Sequence, residues 1–186
     1  MSAASEPLLT LEPLIEAVTE GLEAAGWARS GVQKTTSHEY GGRWEGETSR
    51  SAYLFFHRPG QDDAVSVEAF LDETSRGIEG NLALVVDGPE LSELGDPRPA
   101  LAGIAAAAGE RIQSQHRVPV ALRLRLSDPT QPAHAATVEL RIKIPIPQSA
   151  LRAGHATVAQ LATSGVGAFE RLLEHPEMKR HGMDGS

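Results

Sequence analysis

The sequence predicts an α+β fold: one antiparallel sheet of about six strands with helices packed on one face, in the order α-β-β-β-β-α-β-β-α. Three observations carry that prediction. Apolar stripes at helical spacing stand near both ends of the chain and once in the middle. Alternating segments come in runs flanked by helices, and do not alternate singly with them as a parallel α/β sheet requires. The last two strands carry one apolar and one charged face, so a single helical layer suffices to cover the sheet.

The first helix begins near Thr10, a residue suited to an N-cap, with Pro13 in the first turn, where a missing N–H costs little. Leu11, Leu14, Ile15, Val18, Leu22 and Ala25 form its apolar stripe, and Glu12, Glu16, Glu20 and Glu23 its acidic side. Gly26 stops it and Trp27 packs its end. A Thr-rich strand is read over Val32–Tyr40, followed by Gly41-Gly42 as a turn. Ala52, Leu54 and Phe56 alternate with Tyr53, Phe55 and His57, an apolar-on-both-sides strand read as central. After the turn at Pro59–Asp63, Val65, Val67, Ala69 and Leu71 make its hairpin partner. Asp72–Asn81 reads as a loop, Leu82–Val86 as a short apolar strand, and Asp87-Gly88-Pro89 as its end.

Leu101, Ile104, Ala105, Ala108 and Ile112 mark the middle helix. The hairpin after it is the clearest element. Val118, Val120, Leu122, Leu124 and Leu126 alternate with Ala121, Arg123 and Arg125; Val138, Leu140, Ile142 and Ile144 alternate with Glu139, Arg141 and Lys143. Matching the apolar faces requires a register of even parity, and the simplest choice places Leu124 opposite Val138 and Arg123 opposite Glu139. Ser149 is read as the cap of a long last helix, with a kink, break or tight contact expected near Gly165 and Gly167, and Pro176 closes it. The organisation expected is a disordered N-terminus over 1–8, a single α+β domain over 9–175 and a disordered tail over 176–186.

Composition excludes several classes. The chain has 186 residues, 40% hydrophobic and 23% charged, with a net charge of −8. With no Cys there are no disulfides, no thiol catalysis and no cysteine-held metal. A net-acidic chain is a poor general binder of nucleic acid. The absence of an apolar run near the roughly 20 residues of a membrane span, and of a basic start followed by an apolar stretch, gives a cytoplasmic expectation. The cations are 14 Arg and 3 Lys, the bias a GC-rich genome produces, which points to a bacterial source. The order of elements is similar to that of small secretion-type chaperones and related bacterial regulators, helix-flanked antiparallel sheets that commonly dimerise; this chain adds a strand before the middle helix. A related order occurs in ubiquitin-conjugating-like folds, where the lack of Cys rules out thioester chemistry.

No phosphate loop, dinucleotide fingerprint or nucleophile elbow is present. Of the seven His, the best metal candidates are His38 and His57 on strands read as neighbours, with Glu68 nearby. Two candidate partner-binding surfaces stand out. Arg123, Arg125, Arg141 and Lys143 share one hairpin face, suited to an acidic protein segment. Tyr40, Trp44 and Tyr53 surround a glycine-rich hairpin beside Arg43 and Arg50, a hot-spot-like composition.

The reading is therefore a non-enzymatic protein-interaction module: an adaptor, chaperone or small subunit of a larger bacterial assembly. It needs no cofactor, its partner is another protein of acidic character, and a homodimer is compatible with it. The alternatives are a small-ligand-binding or metal-dependent enzyme with a pocket between sheet and helices, and an accessory subunit of a nucleic-acid-processing complex.

Overall fold

Helix α1 (Leu11–Ala24) buries the predicted stripe, and the sequence Ala-Gly-Trp then closes it in a way its chemistry dictates. Gly26 takes φ +85°, its N–H donates to Glu23 O (2.9 Å), and the Trp27 N–H reaches back to Leu22 O (3.0 Å). This is a Schellman cap: glycine adopts the left-handed turn, and the apolar residue after it returns to the helix. Trp27 is fully buried. At the other end Thr10 occupies the N-cap position but its side chain makes no capping bond. The Leu11 N–H donates instead to Glu73 Oε2 at 2.6 Å.

The computed structural model describes residues 6–36, 49–60, 63–113 and 116–185. Its strands are β1 (Ala28–Thr36), β2 (Arg50–His57), β3 (Val65–Thr74), β4 (Gly77–Glu90), β5 (Val120–Arg125) and β6 (Thr137–Pro145), in one antiparallel sheet ordered β1-β2-β3-β4-β6-β5. Helix α2 (Pro97–Ala108), extended by a π-helical turn over Gly109–Gln113, joins β4 to β5. Asp96 caps α2 by accepting the Arg98 N–H (3.2 Å). That bond and the Arg98 guanidinium hold its carboxyl below the usual range, the side-chain contact being the larger cause. After β6 come α3 (Gln148–Ala153), α4 (His155–Leu173) and α5 (Pro176–Arg180). The α+β class and the element order are those the sequence predicts. Among the described residues no helix is long and apolar enough to cross a membrane.

Several elements differ from expectation, each for a local reason. The first strand starts at Ala28, ahead of Val32, and the remainder of its expected span lies outside the described residues. The expected loop Asp72–Asn81 is a tight hairpin: β3 runs to Thr74 and β4 starts at Gly77. Thr74 Oγ1 accepts the Arg76 N–H (3.2 Å) and donates to Gly77 O (3.3 Å), giving the two-residue turn its bonds. The polar residues there are strand residues with bonds of their own: Asp72 accepts the Ser51 hydroxyl and Glu73 the Leu11 N–H. Asp87-Gly88-Pro89 does not end the strand, because the Asp87 N–H pairs with Ala64 O (2.8 Å) and the ladder continues. The strand read as central, β2, lies next to the edge strand β1. The two-sided burial belongs to β4, where Leu82 through Val86 are all buried, the mark of an interior strand. The last helix breaks at Gly154, and α4 continues unbroken through Gly165 and Gly167. Pro147, not Ser149, is the N-cap residue of α3.

The chain divides into two compact units, each assembled from three stretches. One holds Met1–Pro59, Glu68–Leu82 and Pro145–Gly165. In it α1 crosses α4 at Gly21, where the backbone of Ala159 and the Cβ of Ala162 fill the space a side chain would need. Thr163 Oγ1 donates to Gly21 O (2.8 Å) across the same crossing. Leu8, expected in the frayed start, is buried and donates its N–H to Leu151 O at 2.9 Å.

The other unit holds Gly60–Val67, Ala83–Ile144 and Val166–Ser186. Its core contains Ile104, Ile112, Leu140, Phe169 and Leu172. The expected disordered tail is largely structured here. His175 Nδ1 accepts the Glu177 N–H, Pro176 opens α5, and Gly182 (φ +62°) ends it in a second Schellman cap, with Met183 N–H on Met178 O (2.9 Å). Met178 and Met183 are fully buried. A Cβ at Gly88 would run into the Met183 sulfur and lie 2.9 Å from Val138 O, so the glycine read as a strand breaker is where the tail docks.

Candidate functional site

The β5–β6 hairpin has the register expected from its apolar faces: Leu124 opposite Val138, Arg123 opposite Glu139, Ala121 opposite Arg141. Because side chains alternate across a strand, Arg123, Arg125, Arg141 and Lys143 share one side, and Val138, Leu140, Ile142 and Ile144 are buried on the other. The four cations do not form a bare patch. Glu139, with 7% of its surface accessible, is the one charged residue in the described core. It receives Arg123 at 3.8 Å and Arg125 at 3.5 Å. Arg125 also binds Asp87 on β4 at 2.7 Å. Both guanidiniums remain more than half exposed. Arg141 is half-buried and has interactions of its own, whereas Lys143 is exposed. Within this set four cations stand against two carboxylates, both of which face Arg125.

The apolar side of β5 departs from expectation. Leu124 and Leu126, read as core, are 56% and 41% exposed. Helix α2 covers only the start of the strand, where Val118 is buried and Leu122 partly so. β5 is the last strand of the sheet, so its outer backbone groups face no neighbouring strand among the described residues. The signal was present in the sequence as Pro119 and Pro129, which bracket the strand as proline does at sheet edges. Beyond β5, Asp128 accepts the Thr130 N–H (2.8 Å) and hydroxyl (2.7 Å). These bonds, the backbone one foremost, hold its carboxyl below the usual range.

The other sequence candidates fare differently. His38, Tyr40, Trp44 and the glycine-rich hairpin lie outside the described residues. His57 and Glu68 are half-buried on adjacent strands β2 and β3. His57 Nδ1 is buried without a hydrogen-bond partner among the described residues, and Glu68 has an interaction of its own. No three His, Asp or Glu side chains among the described residues converge as a metal site would require. Tyr53 lies on the sheet against Phe70, ring centroids 4.6 Å apart and inclined at 46°.

Two further clusters lie beyond the sequence reading, and most of their pairs join residues far apart in the chain. Arg50 joins Glu12 (2.9 Å) to Glu73 (2.7 Å) at the start of α1. In the tail His175 faces Glu110 (3.7 Å) and His181 faces Glu177 (3.6 Å). A shallow depression of about 410 Å³ at the β3–β4 turn is bounded by Thr74, Arg76, Gly77, Ile78, Glu79 and Gln148. Gln148 spends its amide on Ile78 O (2.9 Å), and this lining brings no nucleophile against a base. No protein-family profile, no curated protein and no solved structure matches the chain.

Proposed function

We propose that the chain is a non-enzymatic protein-interaction module, an adaptor, chaperone or small subunit of a larger bacterial assembly, that binds an acidic protein partner through the open face of the β5–β6 hairpin. The carrying observation is the set of half-exposed arginines, Arg123 and Arg125, held by a buried Glu139. Glu139 draws both guanidiniums to one place by charge, and the Asp87 bond to Arg125 (2.7 Å) orients that side chain, which lowers the ordering cost a partner would otherwise meet. Each guanidinium carries five donors, so one contact to Glu139 or Asp87 leaves others for an incoming carboxylate. Charge complementarity of this kind sets encounter rate and register more than raw affinity.

The test is stoichiometric capture from the native host by the tagged chain, compared with the double variant Arg123→Glu/Arg141→Glu. The reading predicts a co-purifying polypeptide that the variant loses while its circular dichroism spectrum is kept. Equal capture by both proteins removes the hairpin face from the interaction.

A further inference from the structure

We infer that the outer edge of β5 is a docking line for an extended segment of a partner protein that alternates acidic and apolar residues and adds to the sheet as a further strand. This rests on the protein-interaction reading above and specifies what that interaction grips. β5 is the terminal strand of the sheet. None of Val120–Arg125 is proline, so every N–H of the strand exists, and by strand geometry about half of its backbone groups point away from β6. Edge strands are ordinarily blunted by charge, brevity or cover, since they template pairing with other chains. Here Arg123 and Arg125 supply charge on one side, yet Leu124 and Leu126 stand 56% and 41% exposed on the other. A protective edge has no need of two exposed leucines; a receiving edge uses them.

The alternation decides the occupant. A strand laid beside β5 sends successive side chains to opposite faces. Residues beside Arg123 and Arg125 are best acidic, and those beside Leu122, Leu124 and Leu126 apolar. A second copy of this chain fits poorly. In an antiparallel β5–β5 pairing, a register that sets Leu124 against Leu124 of the other copy places Arg123 opposite Arg125 twice. The register that sets Leu124 against Leu126 places Arg125 opposite itself. Like charges directly opposite destabilise a strand pair. Main-chain bonds would supply affinity and the alternating side chains selectivity, the general logic of strand addition.

The experiment uses the full chain and two synthetic peptides of equal composition. One alternates glutamate with valine; the other carries the same residues in pairs, which breaks the two-residue period. Binding is read by fluorescence anisotropy, and backbone amide exchange across β5 by NMR. Strand addition predicts that the alternating peptide binds about tenfold tighter, the worth of a few matched cross-strand pairs. It also predicts that alternate β5 amides become protected and that Leu124→Ser/Leu126→Ser weakens this peptide selectively. Equal binding of both peptides without new protection in β5 overturns strand addition while leaving the charged face as the contact. Failure of both peptides to bind overturns both readings. Protection of the β5 amides that point away from β6 without peptide, at a solution mass near twice 19.8 kDa, assigns the edge to a second copy and likewise overturns the inference.

Discussion

Replacing Gly21 by alanine sets two opposed effects against each other, and the structure gives their balance. In an exposed helix interior the change would stabilise by about 1 kcal/mol through helix propensity. At Gly21, however, the new Cβ would overlap the Ala159 carbonyl and lie 2.8 Å from the Ala162 Cβ. One obstacle is backbone and the other a short rigid side chain, so the helices themselves must separate. Overpacking of this sort costs about 1–3 kcal/mol. Separation also weakens the bond from the Thr163 hydroxyl to Gly21 O, worth about 1 kcal/mol. The net is a loss of about 1–3 kcal/mol, and near this chain length each kcal/mol lowers the melting temperature by about 2–4 °C. Gly167→Ala is the internal control. It lies in the same helix α4 that Gly21 contacts, but its Cβ would meet only the Arg171 guanidinium, at 3.6 Å. There the propensity gain survives, and stability rises by up to about 1 kcal/mol. Urea unfolding followed by circular dichroism measures both variants. Equal effects of the same sign would refute the close α1–α4 crossing.

Three further outcomes are expected. Met178→Ala lowers stability by about 2–3 kcal/mol and Gly182→Ala by about 1 kcal/mol in thermal unfolding, since the first empties a buried site and the second forces alanine to φ +62°; a disordered tail would make both silent. Glu139→Gln lowers stability by about 1 kcal/mol or less, given the long contacts and exposed arginines, and the deficit shrinks in high salt; a deficit insensitive to salt contradicts the ionic role. Burial foremost, and then Arg171, depress the His116 pKa below its usual value near 6.5. The unfolded chain therefore binds this proton first, so stability is complete above the unfolded pKa and declines as pH falls through about 6.5 toward the folded value. His116→Gln flattens that decline in denaturant midpoints measured across the range; an unchanged slope assigns it to other groups.

The fold was legible where alternation or helical period ran long. Parity narrowed the β5–β6 register to the even ones, because a one-residue slip would turn Val138, Leu140 and Ile142 toward solvent, and the simplest of these is the one observed. What misled was polar or glycine-containing sequence inside strands. Asp72 and Glu73 read as loop by their charge, yet Asp72 accepts the Ser51 hydroxyl (2.6 Å) and Glu73 caps α1. Gly88 reads as a break by its backbone freedom, whereas its small size is what lets Met183 fit. The tail carries a readable pattern, His-Pro at the helix start and Met before and after the closing glycine, although its position near the terminus favours disorder. At the candidate site the shared side of the four cations was readable. The exposure of Leu124 and Leu126 was not, because which strand ends the sheet and how far α2 reaches are properties of the assembled layers.

Native mass spectrometry of the tagged chain purified from its own host tests the central claim most directly. The account predicts a species heavier than a whole multiple of 19.8 kDa by one further polypeptide, which Arg123→Glu/Arg141→Glu loses. A bare monomer or dimer that carries a small non-covalent adduct, with no second polypeptide, would contradict it and point to a ligand pocket.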